Sequence, residues 1–172
     1  MMTVAALVAV LSVAATAFGG SPPAPPLVSF SGSYAVNYKV TNVGNLAPTH
    51  WLFAVKTACA NPCRAVSFRF RLKSEKAWHK HISVYTWNGK GEYVRPAEVF
   101  RGYAGCKGKA GGSVPKGYDV KNTSAIRLKT SVNGRVMRFT GVAQDAYIPN
   151  AAGRKAGCAP GSYEYAFTGI SL

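Results

Sequence analysis

Arg64-Ala65-Val66-Ser67-Phe68-Arg69-Phe70-Arg71-Leu72-Lys73 alternates without a break. In an extended chain Val66, Phe68, Phe70 and Leu72 share one face, and Ser67, Arg69, Arg71 and Lys73 the other, because successive strand side chains point to opposite sides. A slip of one residue would bury Arg69 and Arg71 and expose Phe68 and Phe70. Burying two unpaired guanidiniums costs several kcal/mol each. The stretch therefore reads as a half-buried strand of fixed register. Phe68 and Phe70 are expected in a core, with Arg69 and Arg71 in water and free of close carboxylate partners.

The same period recurs on both sides of this segment. Upstream, Phe30 to Thr41 and Trp51 to Thr57 alternate. Downstream come His81 to Trp87, Glu92 to Phe100, Ser124 to Val132, Arg135 to Ala143 and Ser162 to Gly169. Asn88-Gly89 and Asn133-Gly134 separate neighbouring runs and carry the hairpin-turn chemistry. Gly102 to Gly117, rich in Gly and Lys, reads as a loop, and Gln144 to Pro160 as a long irregular connection. Helical periodicity is almost absent, so the class is all-β. A single antiparallel barrel or two-sheet sandwich of about eight strands fits best. Gly32-Ser33-Tyr34 and Gly161-Ser162-Tyr163 are similar in wording, which suggests that the first and last strands lie side by side.

The N-terminus has the character of an export signal. Val4 to Phe18 is apolar or small, no charge precedes Lys39, and Ala15-Thr16-Ala17 suits cleavage. The positively charged start usual in such signals is missing. The expected layout is a signal peptide over 1–17, a Pro-rich linker over 18–29 and a β domain over 30–172. Four cysteines in an exported chain imply two disulfides. Cys59 and Cys63 bracket the turn-forming Ala60-Asn61-Pro62, which favours a local bridge and leaves Cys106 to pair with Cys158. A four-Cys metal site is disfavoured, since the paired short spacings of a zinc ribbon are absent.

A Phe30-x-Gly32-x-Tyr34 opening is followed by Trp51, then Cys59 and Cys63-x-Ala65-Val66-Ser67. Next come Cys106, a hairpin ending in Thr140-Gly141, Cys158, and an aromatic strand closing in Thr168-Gly169. This order resembles small exported, disulfide-containing β domains of actinobacteria, of mycobacterial type, which are mostly uncharacterised. The resemblance covers Phe30 to the C-terminus and rests on cysteine spacing and one tryptophan. It implies no catalytic residues and no cofactor. Members are not usually this basic, so a partner inferred from charge is not implied by the family.

Charge is the outlier: 21 Lys and Arg face 6 acids, for a net +15. Such a field attracts polyanions. Arg69, Arg71 and Lys73 alternate on one strand, as do Arg127 and Lys129 on another. Were those strands neighbours, five cations would line one face as a platform for anionic cell-wall polymer or membrane headgroups. An exported chain has little occasion to meet nucleic acid.

Trp51, Phe53, Tyr85 and Trp87, with Tyr93 and Tyr103, are the aromatics that either fill a β core or line a barrel mouth around a small apolar ligand. His50, His79 and His81 suggest a metal set only weakly, because Lys76 and Lys80 adjoin it and Glu75 is the one nearby acid. Glu75, Glu92, Glu98, Asp119, Asp145 and Glu164 are the whole acid supply, and no pair of them stands out for hydrolysis. Gly-x-Ser-x-Gly is absent.

The leading expectation is thus a non-catalytic binding or interaction domain, secreted or held in the bacterial cell envelope, without metal or cofactor. A lipocalin-like carrier of a small apolar ligand is the alternative, and a secreted hydrolase ranks third. A cavity inside the barrel would favour the carrier. A filled interior with a cationic face would favour polymer contact.

Overall fold

Alternation in the sequence becomes one closed ring of strands. A computed structural model of the chain describes residues 23–57 and 63–172. In order come β1 (Gly32–Val40), β2 (Thr49–Thr57), β3 (Ala65–Leu72), β4 (Ser83–Trp87), β5 (Tyr93–Lys107), β6 (Ser113–Val132) and β7 (Arg135–Pro149), then helix α1 (Ala151–Ala156) and β8 (Gly161–Ser171). Every strand pairs antiparallel with its sequence neighbour, and β1 pairs with β8. The result is an up-and-down barrel rather than a sandwich.

The turns explain the connectivity. Asn133 (φ 48°) and Gly134 (φ 72°) join β6 to β7 in the two-residue geometry that matches strand twist. Asn88-Gly89 acts differently, at the head of a longer connection. The Asn88 side chain accepts from Lys90 N (2.7 Å) and Glu92 N (3.2 Å), and its own N–H donates to Glu92 O (2.9 Å).

Two segments depart from the sequence expectation. Gly102 to Gly117 is mostly strand, the far end of the β5–β6 hairpin around a turn over 108–112, and register shifts between Phe100 and Cys106 take up Gly102 and Gly105. Gln144 to Pro160 is mostly regular too: β7 runs on to Pro149 and α1 follows. Asn150 caps the helix by accepting from Gly153 N (3.1 Å), and Gly157 ends it in the left-handed region (φ 76°). A β-carbon at Gly153 would strike the Gly117 carbonyl, so glycine lets α1 lie against β6. The Cys106–Cys158 disulfide, with Cα atoms 6.1 Å apart, ties the same β5–β6 tip to the chain beyond the helix. Cys63 is also disulfide-bonded, while its expected partner Cys59 lies outside the described residues.

One end of the barrel is sealed. Phe30, ahead of β1, inserts its ring 5.7 Å from Tyr34, 5.5 Å from Phe68 and 5.4 Å from Phe139. Backbone bonds from Ser29 N to Gly134 O (2.6 Å) and from Val136 N to Ser29 O (3.0 Å) hold it there. Tyr34 Oη donates to Val136 O (2.9 Å) and Tyr93 Oη to Cys63 O (2.7 Å), so the buried phenols are satisfied. Part of the stretch expected as a linker is docked on this end: Pro25 is buried, and Trp87 Nε1 donates to Pro23 O (2.8 Å).

Candidate functional site

Neighbouring strands stack their inward side chains in layers. Tyr93, Ile126, Gly141, Phe167 and Tyr38 form one row across β5, β6, β7, β8 and β1. This row is apolar and full, since the Phe167 ring occupies the space above Gly141. The next row is Arg95, Ser124, Ala143 and Tyr165, and the one beyond it Glu98, Asn122, Asp145 and Tyr163. Ser124, Ala143 and the nearby Ser83 are too small to fill the ring of strands. A cavity of about 340 Å³ remains above the aromatic core, within the size range of small-molecule sites. Trp51, Phe53, Phe68 and Phe70 wall it on one side, and Tyr103, 68% exposed, stands where it meets solvent.

A bulge puts charge into this cavity. Arg95 and Glu98 are three residues apart and would face opposite sides of a regular strand. The ladder slips between them, pairing Arg95 with Ser124 and Glu98 with Asn122, so both enter the interior rows. Pro96, which has no N–H for a ladder bond, stands inside the slip.

Arg95 is the most deeply buried cation of the site, its side chain 9% exposed. Its Nη1 donates to Ser83 Oγ (2.7 Å) and lies 3.6 Å from Glu98 Oε2, while His81 Nε2 approaches the same oxygen at 3.2 Å. Buried Arg95 Nε has no hydrogen-bond partner among the described residues. Tyr85 Oη and Ser124 Oγ share a hydrogen bond (2.5 Å). Asn122 Nδ2 donates to Asp145 Oδ1, which leaves buried Asn122 Oδ1 unpartnered. Burial, and then the Asp145 carboxylate, holds the Tyr165 phenol well above its ordinary 10.0. Tyr85 is raised by burial as well, with its bond to Ser124 acting in the opposite direction.

Of the six aromatics singled out in the sequence, Trp51, Phe53, Tyr85 and Tyr103 line the cavity. Trp87 does not: it stands at the sealed end, 5.3 Å from the Tyr93 ring. The polar lining, Arg95, Asn122, Ser124, Asp145 and Tyr165, has no motif in the sequence. Pro96 in an otherwise alternating run was the available sign that Arg95 and Glu98 turn inward together.

The histidines do not converge. His50 Nδ1 meets Asn37 Oδ1 at 2.6 Å, His79 Nε2 meets Glu75 Oε2 at 2.8 Å, and His81 Nε2 lies 3.2 Å from Glu98 Oε2. Among the described residues no cluster of three or more His, Cys, Asp or Glu could hold a metal ion.

The cationic platform fails on topology. β4 and β5 stand between β3 and β6, so Arg69, Arg71 and Lys73 cannot share a face with Arg127 and Lys129. Arg69 and Lys73 are exposed, as expected, but Arg71 is half-buried. Its Nη1 donates to the Glu75 carbonyl, and its Cζ lies 5.5 Å over the Trp78 ring. The reason is local: β3 ends at Leu72 and the chain turns back across the strand's outer side. Arg127 and Lys129 are exposed, with Arg127 Nε 2.8 Å from Glu92 Oε1. They share a shallow outer groove with Lys39 and Arg138, two cations the sequence did not single out.

Fold and cavity together define a closed, eight-stranded antiparallel barrel, sealed at one end and hollow toward the other. No family model, no curated protein and no solved structure matches the chain.

Proposed function

We propose that this protein is a non-catalytic, exported binding protein that holds one small apolar or amphipathic molecule inside its barrel. A single observation carries the reading: aromatic side chains line a cavity of about 340 Å³, open to solvent at Tyr103, rather than filling it. Space left inside a β core is costly unless something occupies it, because its lining loses dispersion contacts. The test is titration with N-phenyl-1-naphthylamine, an uncharged fluorophore that ignores the +15 surface. Saturable binding of one probe per chain is expected, weakened at least about tenfold in an Ala143→Trp variant that still unfolds cooperatively. Equal binding to that variant would put the probe outside the barrel and end this reading.

A second reading concerns the envelope. Lys39, Arg127, Lys129 and Arg138 line one outer groove, which supports contact with anionic cell-wall polymer or membrane headgroups. Such contact is driven by counterion release and weakens steeply with salt. Retention on an anionic polymer should therefore vanish between low and physiological salt. Retention that ignores salt, or none at low salt, would count against this surface.

A further inference from the structure

Two polar atoms of the cavity lining are left without partners, one a donor and one an acceptor. Arg95 Nε–H can only donate, and Asn122 Oδ1 can only accept. The asparagine's orientation is set by its neighbour, since Nδ2 must face the Asp145 carboxylate. Ser124, the register partner of Arg95, is two residues from Asn122 on β6, which makes Arg95 and Asn122 diagonal neighbours on the cavity wall. Leaving a buried hydrogen bond unmade is costly, so two on residues of one wall mark where a ligand's polar end belongs.

Charge narrows the class. Glu98 already answers the Arg95 guanidinium, and Asp145 adds a second carboxylate to the same interior rows. An anionic head would meet two like charges and, accepting only, would leave Asn122 Oδ1 unpaired; a cationic head, donating only, would leave Arg95 Nε unpaired beside its own like charge. A head that is neutral and both accepts and donates satisfies both orphan atoms at no electrostatic penalty.

We propose that the cavity selects an uncharged amphiphile whose polar end, of carboxamide type, accepts from Arg95 Nε and donates to Asn122 Oδ1, its apolar body lying against Trp51, Phe53 and Phe70. The proposal rests on the reading of the barrel as a ligand carrier and names that ligand's chemistry. The volume of about 340 Å³, at the lower end of small-molecule sites, suits a ligand the size of a decanoyl chain with its head.

Decanamide, decanoate and decylamine share one tail and differ in head, so competition against bound N-phenyl-1-naphthylamine isolates the head. Decanamide should displace the probe at a concentration at least about tenfold below either charged analogue. Arg95→Met and Asn122→Leu should each abolish that preference while still binding the probe, which shows that they remain folded. Decanoate or decylamine displacing best, equal displacement by all three, or a preference that survives both substitutions would overturn the assignment of the head. Failure of the probe itself to bind would instead overturn the carrier reading on which it rests.

Discussion

Arg95 Nη1 donates to Ser83 Oγ over 2.7 Å, joining β5 to β4 through the barrel interior. Ser83 is 3% exposed, so its hydroxyl has little access to water if the guanidinium is removed. Arg95→Met should therefore destabilise by about 1–3 kcal/mol. Ser83→Ala should cost less in the Arg95→Met background than in the parent, with a coupling of roughly 0.5–3 kcal/mol. Denaturant unfolding of the four proteins measures it, and strictly additive losses would mean the bond carries no net stability.

Phe68 and Phe70 look equivalent in the sequence but differ in the barrel. Phe68 is 1% exposed within the core, and Phe70 is only partly buried beside the cavity. Phe68→Ala should cost about 3–5 kcal/mol. Phe70→Ala should cost visibly less while altering probe affinity, since it enlarges a space that already exists. Equal losses from the two, with binding unchanged, would remove Phe70 from the ligand wall.

The Cys106–Cys158 bridge spans 52 residues and anchors the hairpin tip to the chain after α1. Chain entropy assigns such a crosslink about 4 kcal/mol. Replacing both cysteines by alanine should lower unfolding stability by about 2–4 kcal/mol and leave β-sheet circular dichroism intact. An unchanged denaturation midpoint would mean that the hairpin tip contributes nothing to the stability of the barrel.

Gly141 and Gly169 are space reserved for rings. A β-carbon on Gly141 would collide with Phe167 and sit 2.7 Å from Ala125 O, and one on Gly169 would collide with Phe139. Gly141→Ala should destabilise by about 1–3 kcal/mol through overpacking. Gly112, where an added β-carbon meets nothing within 4 Å, is the control, and Gly112→Ala should change stability by less than about 0.5 kcal/mol. Thermal melts of the two variants distinguish a packing clash from a general effect of replacing glycine by alanine.

Burial raises the Tyr38, Tyr85 and Tyr165 phenols above 10.0. The folded state then holds these protons more tightly than the unfolded chain. Their stabilising effect is complete below pH 10.0, and it falls as the pH rises through the higher folded values. Denaturation midpoints should hold steady through neutral pH and fall above about pH 10. Tyrosinate absorbance should appear in two phases, with the buried fraction ionising only as the barrel opens. A single phase, with all tyrosines ionising near 10.0 in the folded protein, would contradict the burial of these rings.

Local alternation was enough to specify the class, because burying Arg69 or exposing Phe68 is penalised within the strand itself, whatever that strand pairs with. The Asn133-Gly134 turn was legible for a similar reason: positive φ at consecutive positions is a property of the residues there. Cys106 with Cys158 followed from the local spacing of the other two cysteines. Closure into a barrel was half legible: the similar Gly32-Ser33-Tyr34 and Gly161-Ser162-Tyr163 placed β1 beside β8, as the structure has them, but a sandwich shares the same alternation and could pair those strands too. The helix after Asn150 and the strands through Gly102 to Gly117 were hidden by glycines, whose meaning depends on what lies opposite: Gly117 makes room for α1, and the bulged ladder accommodates Gly102.

The cavity depends on tertiary structure most of all. Ser83, Ser124 and Ala143 are unremarkable small residues on three different strands, and only register brings them to one level of one ring. The same register turns Arg95, Asn122 and Asp145, which belong to no motif, into the lining of a single space. The cationic platform failed by the same logic, since charge pattern says which side of a strand is wet and nothing about which strands are neighbours. Sequence alone determined the facing of residues along the regular strands, a local energy, but not at the β5 slip where Arg95 and Glu98 both turn inward. Which faces meet, and how much space they leave, was decided by long-range pairing, and that is where the proposed ligand site lies.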